Sequence, residues 1–122
     1  VSAEALETLV VDGDPVGLRR LFTNLLDNAE TYGRTAHARA WREGDLAIVD
    51  VLDSGPGLPP GEEERVFEPF YRLERSRSRG TGGTGLGLSV ARSIARLHGG
   101  DVVLSNRPGG GLRARVTIPV AR

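Results

Sequence analysis

The chain has 122 residues, 39% of them hydrophobic, and its sixteen basic and sixteen acidic side chains balance to a net charge of zero. That is enough apolar material for one core, and the balance argues against a disordered segment or a general binder of polyanions. There is no cysteine, which removes disulfides and thiolate metal sites, and no lysine, so every basic side chain is an arginine.

No apolar stretch approaches the roughly 20 residues that cross a bilayer, and no signal peptide is visible at Val1. Both ends read as cut from a longer chain. Residues 1–7 have no clear period, and a short strand is expected near residues 9–11. Asp14-Pro15 then opens a helix, because aspartate is a good N-cap acceptor and proline suits the first helical position. Leu18, Leu21, Phe22, Leu25, Leu26 and Ala29 recur at three- and four-residue steps and give it one apolar face, and Gly33 stops it. Residues 36–42 alternate, Glu43-Gly44-Asp45 turn the chain, and residues 46–52 form a strong strand, so a β-hairpin is expected.

Residues 54–61 read as loop, and residues 62–67 as a short acidic helix. Residues 68–83 carry four arginines and no core-forming pattern; such a stretch within one domain is usually functional or mobile. A second helix is expected from about 84 to 98, with Leu86, Val90, Ile94 and Leu97 on one face and Gly99-Gly100 ending it. Val102 and Leu104 begin a strand, and Leu112, Ala114, Val116 and Ile118 alternate with polar residues in another; Pro108 to Gly111 connect the two. This order predicts an α/β two-layer sandwich, with two long helices on one face of a mixed or antiparallel sheet.

The run GTGGTGLG, residues 80–87, puts five glycines in eight residues. It fits G-x-G-x-x-G, but a dinucleotide fold needs a buried strand before it, and here RLERSRSR precedes it. A P-loop and a eukaryotic-type kinase each need a lysine that this chain lacks. What remains is a flexible hinge, or backbone opening onto a helix N-terminus that favours an anion. Asn24 and Asn28 stand one turn apart at the edge of the leucine face, as ordinary half-buried polar residues or as neutral oxygen ligands suited to Mg²⁺. Asp53 ends a strand before Ser54-Gly55-Pro56-Gly57, either as an Asx turn or as an acceptor for the exocyclic amine of adenine, with glycines leaving room for a flat ring.

In one order the chain presents Asn24-Leu-Leu-Asp-Asn28-Ala29, Asp53-Ser-Gly55-Pro-Gly57, Phe67-Glu-Pro-Phe70 and Gly83-Thr-Gly85-Leu-Gly87-Leu. Together these resemble the N, G1, F and G2 boxes of the catalytic ATP-binding domain of bacterial sensor histidine kinases, and the likeness runs from about Val10 to Pro119. The resemblance implies an α/β (α+β) two-layer sandwich of the Bergerat type, a mixed and mostly antiparallel sheet with helices on one face, and one domain over residues 1–122. It implies ATP and Mg²⁺ as ligands, with Asn28 on the metal and Asn24 supporting it as the catalytic pair. Asp53 would accept from adenine, Gly55, Gly57 and Leu58 would form the pocket wall, and Tyr32 would lie near the nucleotide. Gly83, Thr84, Gly85, Leu86 and Gly87 would face the phosphates, and an ATP lid over about 68–83 would be anchored by Phe67 and Phe70.

Two positions depart from the family pattern. Thr31 stands where a basic residue is common, with Arg34 as a substitute, and Asn24 stands where related ATPases carry a glutamate, so free hydrolysis should be slow. His37 and His98 lack the surroundings of a phosphoacceptor, which places the acceptor helices and the sensor domains elsewhere in a longer parent. The expected partners are that phosphoacceptor domain and a response regulator, and not nucleic acid. The isolated domain is expected to be a monomer and the parent a homodimer, with this part cytoplasmic and the parent anchored in the plasma membrane. Two alternatives share the fold: a serine kinase of the anti-sigma-factor type, and a weakly catalytic nucleotide-binding module.

Overall fold

The computed structural model describes residues 2–5, 11, 13–33, 35–71 and 87–120, with the main chain only at residues 2–5, 32 and 33. The elements are β1 (Ser2–Ala5), α1 (Pro15–Gly33), β2 (Ala36–Glu43), β3 (Leu46–Asp53), a 3₁₀ turn (Arg65–Phe67), α2 (Gly87–Leu97), β4 (Asp101–Asn106) and β5 (Leu112–Pro119). Five strands form one sheet in the order β1-β2-β3-β5-β4; β1 lies parallel to β2 and every other pairing is antiparallel. The mixed, mostly antiparallel sheet is thus present. The first described strand is β1 at Ser2–Ala5, which was not expected; of the strand expected near residues 9–11, Val11 is not in a strand and 9 and 10 lie outside the described residues. Ser2 and Glu4 alternate with Ala3 and Ala5, but four residues whose apolar positions are alanines, a weak strand former, carry little signal, and main-chain pairing with β2 forms the strand.

α1 begins as its sequence demands. Asp14 Oδ1 accepts from Val16 N at 3.1 Å, and Leu18 N bonds back to Asp14 O. Its leucine face supplies Leu21 and Leu25, which pack against Val51, Val116 and Ala114 from the helix-facing side of the sheet. The alternate residues of β3 and β5 point to one face because side chains along a strand alternate, and the register Val49↔Val116 and Val51↔Ala114 aligns the two apolar rows.

α2 ends in a Schellman motif: Gly99 has φ +83°, Gly100 N bonds Ala95 O at 2.9 Å, and Gly99 N bonds Arg96 O at 3.1 Å. A Cβ at Gly100 would collide with the carbonyl oxygen of Thr117, so the second glycine of the pair lets the chain pass onto the sheet. His98 is structural. Its Nε2 accepts from Asp14 N at 3.0 Å and its Nδ1 lies 2.8 Å from Ile94 O, which ties the end of α2 to the start of α1.

The expected acidic helix over 62–67 is only one 3₁₀ turn, which buries Val66 and Phe67. Of the two expected lid anchors, Phe67 is buried and Phe70 is not: it is 69% exposed and adopts φ +66°, and residues 72–86 lie outside the described residues. The expected second helix starts at Gly87, and residues 84–86 lie outside the described residues.

Candidate functional site

Topology brings four pieces to one end of the sandwich. β2 starts directly after α1, and its first residue, Ala36, pairs with Asp53 at the end of β3. β4 ends where β5 begins, with Asn106 opposite Leu112, and Leu112 N donates to Asp53 Oδ1 at 3.1 Å. α2 reaches the opposite end of the sheet only at its C-terminus, where β4 starts, so its N-terminus lies at the Asp53 end. The C-terminal half of α1, the start of α2, the end of β3 and the β4–β5 turn therefore converge.

Asp53 is 5% exposed, and its bonds explain how a carboxylate is tolerated there. Oδ1 takes both main-chain donors, Gly55 N at 2.9 Å and Leu112 N at 3.1 Å. Among the described residues nothing bonds Oδ2. Oδ2 is not among the fully buried atoms without a partner, so it is open to the outside, and a carboxylate held through one oxygen can accept from a ligand donor through the other. The Asx turn and the ligand acceptor are thus compatible in one side chain, through different oxygens.

The loop after Asp53 is held from several sides. Arg107 Nη1 donates to Asp53 O at 2.6 Å, and the Thr35 and Ser54 hydroxyls bond at 2.7 Å. Asn106 closes a two-way clamp on Leu58, its Oδ1 accepting from Leu58 N at 2.8 Å and its Nδ2 donating to Leu58 O at 2.9 Å. Gly57 has φ +77°, and the place of its missing Cβ is taken by Asn106 Oδ1, which gives glycine a reason of its own there. Gly111, at φ +98°, lets the β4–β5 turn close onto the carbonyl of Asp53.

On α1, Asn24 and Asn28 are both half-buried at the edge of the core face. Asn24 Nδ2 donates to the carbonyl of Gly87, the first residue of α2, at 3.2 Å, which leaves its Oδ1 without a partner among the described residues. The Asn28 side chain likewise has no hydrogen-bond partner among the described residues. Gly87 has open space where a Cβ would go, so the described packing does not itself demand glycine at that helix start.

The site is thus assembled from Asn24, Asn28, Asp53, Gly55, Gly57, Leu58 and Gly87. Tyr32 lies in the last turn of α1, Thr31 is exposed beside it, and Gly83, Thr84, Gly85, Leu86 and Arg34 lie outside the described residues. Sequence reasoning missed Asn106 and Arg107. They stand 48 and 54 residues from the groups they bond, and no local pattern announces such a contact. Among the described residues no cluster of three or more acidic, histidine or cysteine side chains could hold a metal by itself. The donor set offered is neutral amide oxygen, which suits an ion that keeps water and phosphate as its other ligands.

A second, charged cluster fixes the segment before residue 71. Arg92 on α2 bonds Glu64 through both terminal nitrogens, at 2.8 and 3.0 Å, and Asp101 through Nε at 3.0 Å, and it stacks on Phe67 at 4.0 Å. The Arg92 bonds hold the Glu64 carboxyl below its ordinary value of 4.5. At Asp101 burial pushes the carboxyl up, but bonds from Arg92 and Arg96 outweigh it and hold the group below 3.8.

Residues 13–122 match the sequence family described as histidine kinase-, DNA gyrase B- and HSP90-like ATPases. The chain is 44% identical over 119 residues to the sensor protein CutS of Streptomyces coelicolor, covering 93% of this chain and 28% of CutS. It thus spans less than a third of the curated relatives it matches. Among solved structures it is similar to the catalytic domain of the histidine kinase ThkA in a nucleotide-free form, with a TM-score of 0.80 and 30% identity over 97% of this chain and 78% of that one. It is also similar to full-length ShkA in complex with AMPPNP, with a TM-score of 0.80 and 25% identity over 98% of this chain and 25% of that one.

Proposed function

Because the chain belongs to the family of histidine kinase-, DNA gyrase B- and HSP90-like ATPases, we propose that it is the catalytic domain of a sensor protein-histidine kinase, which binds Mg·ATP and donates the γ-phosphate to a histidine on a separate dimerisation domain. The observation that carries this reading is the uncommitted Oδ2 of buried Asp53, at the same end of the sandwich as the α1 amides and the start of α2.

Asp53 Oδ2 accepts from the adenine amine, and the loop through Gly55, Gly57 and Leu58 forms the wall beside the ring. Asn28, supported by Asn24, offers amide oxygen to Mg²⁺; when bound, that ion neutralises phosphate charge. The start of α2 at Gly87, together with Gly83, Thr84, Gly85 and Leu86 on sequence grounds, presents main-chain N–H groups to the phosphates. Tyr32 lies near the nucleotide. Neither asparagine is a competent base for water, so the domain positions the γ-phosphate for in-line attack by an imidazole supplied from outside and hydrolyses little by itself.

The same reading covers the rest of the system. The parent is a homodimer whose phosphorylated histidine serves a response regulator, with this domain on the cytoplasmic side of a membrane-anchored chain and residues 68–83 acting as the ATP lid. The test is incubation with γ-labelled ATP and the dimerisation helices of a related sensor kinase. The expected product is an acid-labile phosphohistidine on those helices, lost with Asn28→Ala. A chain that binds ATP but labels no histidine, or that leaves an acid-stable phosphoserine, contradicts the proposal.

A further inference from the structure

We infer that Asn106, at the end of β4, is a positioning residue for the adenine-facing wall and thereby sets base selectivity; this rests on the nucleotide-binding reading above. The clamp spans 48 residues and uses the whole side-chain amide: Leu58 N donates to Oδ1 at 2.8 Å, and Nδ2 donates to Leu58 O at 2.9 Å. One planar amide thus satisfies both main-chain groups of one loop residue, as a neighbouring strand would. The loop 54–58 is joined in this way to the edge of the sheet beyond the end of β3.

The neighbouring groups fit the same purpose. Gly57 reaches φ +77° with its Cβ position occupied by Asn106 Oδ1, so the glycine and the asparagine are matched to each other. Arg107, the next residue, donates to the carbonyl of Asp53 at 2.6 Å. Both ends of the 53–58 loop are therefore bonded by consecutive side chains of one turn, and the acceptor Asp53 and the wall residue Leu58 hold a fixed separation. Selectivity between purines depends on that separation, because a displaced wall lets the ring slide past the one carboxylate oxygen that distinguishes an amine from a carbonyl.

Asn106 itself is exposed and is not a member of the core cluster, so its removal should leave the fold intact. The test compares ATP and GTP dissociation constants by calorimetry, and melting temperatures, for wild type, Asn106→Ala and Asn106→Asp. Loss of two ordinary hydrogen bonds predicts about tenfold weaker ATP binding and a narrowed ATP-over-GTP preference in Asn106→Ala. Asn106→Asp keeps the acceptor and loses the donor, and should fall between the two. Amide exchange at Leu58 should accelerate in both variants. A purely structural clamp would lower the melting temperature and leave the ATP/GTP ratio unchanged. That result, or ATP affinity within twofold of wild type, overturns the inference while the functional reading stands. A wild type that binds neither nucleotide overturns both.

Discussion

At the scale of single residues, the β4–β5 turn shows how glycine conformations decide whether the site closes. Gly109 and Gly111 both have positive φ, +84° and +98°, but only Gly111 is crowded: a Cβ there meets the carbonyl oxygen of Asp53, whereas Gly109 faces open space. Gly109→Ala should cost only the conformational penalty, about 1 kcal/mol. Gly111→Ala adds a collision with main chain that cannot swing away, and should cost at least about 2 kcal/mol more and displace Asp53. Thermal melts of the two variants check this, and equal melting temperatures would contradict the close approach. The placement of Asp53 at a strand end and of the two asparagines at the edge of the leucine face was legible from the sequence, whereas the roles proposed for them rest on the resemblance. Asn106 and Arg107 were not, since a side chain that bonds main chain about fifty residues away leaves no periodic trace.

At the scale of elements, α1 and β5 were legible because each carries an unbroken apolar period, and β2 and β3 because a partly alternating segment, a Gly44 turn and a nearly continuous apolar run read as a hairpin. β1 was missed because it is only four residues long and its apolar positions are alanines, which are weak strand formers. Phe70 was read with Phe67 as an anchor through the resemblance to the F box, but of the two only Phe67 is buried, and Arg92 covers it. The Arg92 cluster also makes the joint between α2 and the 62–67 segment pH-sensitive. Glu64 and Asp101 both have depressed folded values. Their contribution is complete above the ordinary values of 4.5 and 3.8 and is lost as pH falls through the lower folded ones. Arg92→Gln should therefore melt below wild type at pH 7, and the gap should narrow as pH falls below about 4. A gap that stays constant from pH 7 to pH 3 would show that Arg92 acts through packing alone.

At the scale of the whole molecule, one side of the sheet supplies the core, and one end of the sandwich supplies the chemistry. Leu21, Leu25, Val102 and Val116 are almost completely buried between the layers, and they hold α1 and α2 at the spacing that the Asn24–Gly87 bond records. No helix among the described residues is long and apolar enough to cross a membrane. The fold class was legible from element order. That Asn24, Asp53 and Gly87 lie toward one end of the sandwich was legible only through the resemblance, because their separation in sequence hides it.

The central claim is that Asp53 reads the adenine amine through Oδ2. Asp53→Asn tests it directly, since the amide oxygen can keep both main-chain donors, Gly55 N and Leu112 N, while an NH₂ replaces the ligand-facing oxygen. Calorimetric titration of wild type and Asp53→Asn with Mg·ATP and Mg·GTP should show ATP affinity falling roughly ten- to hundredfold and the preference moving toward GTP, whose ring carries an acceptor where adenine carries a donor. Unchanged ATP affinity in a variant that melts like wild type would contradict the account.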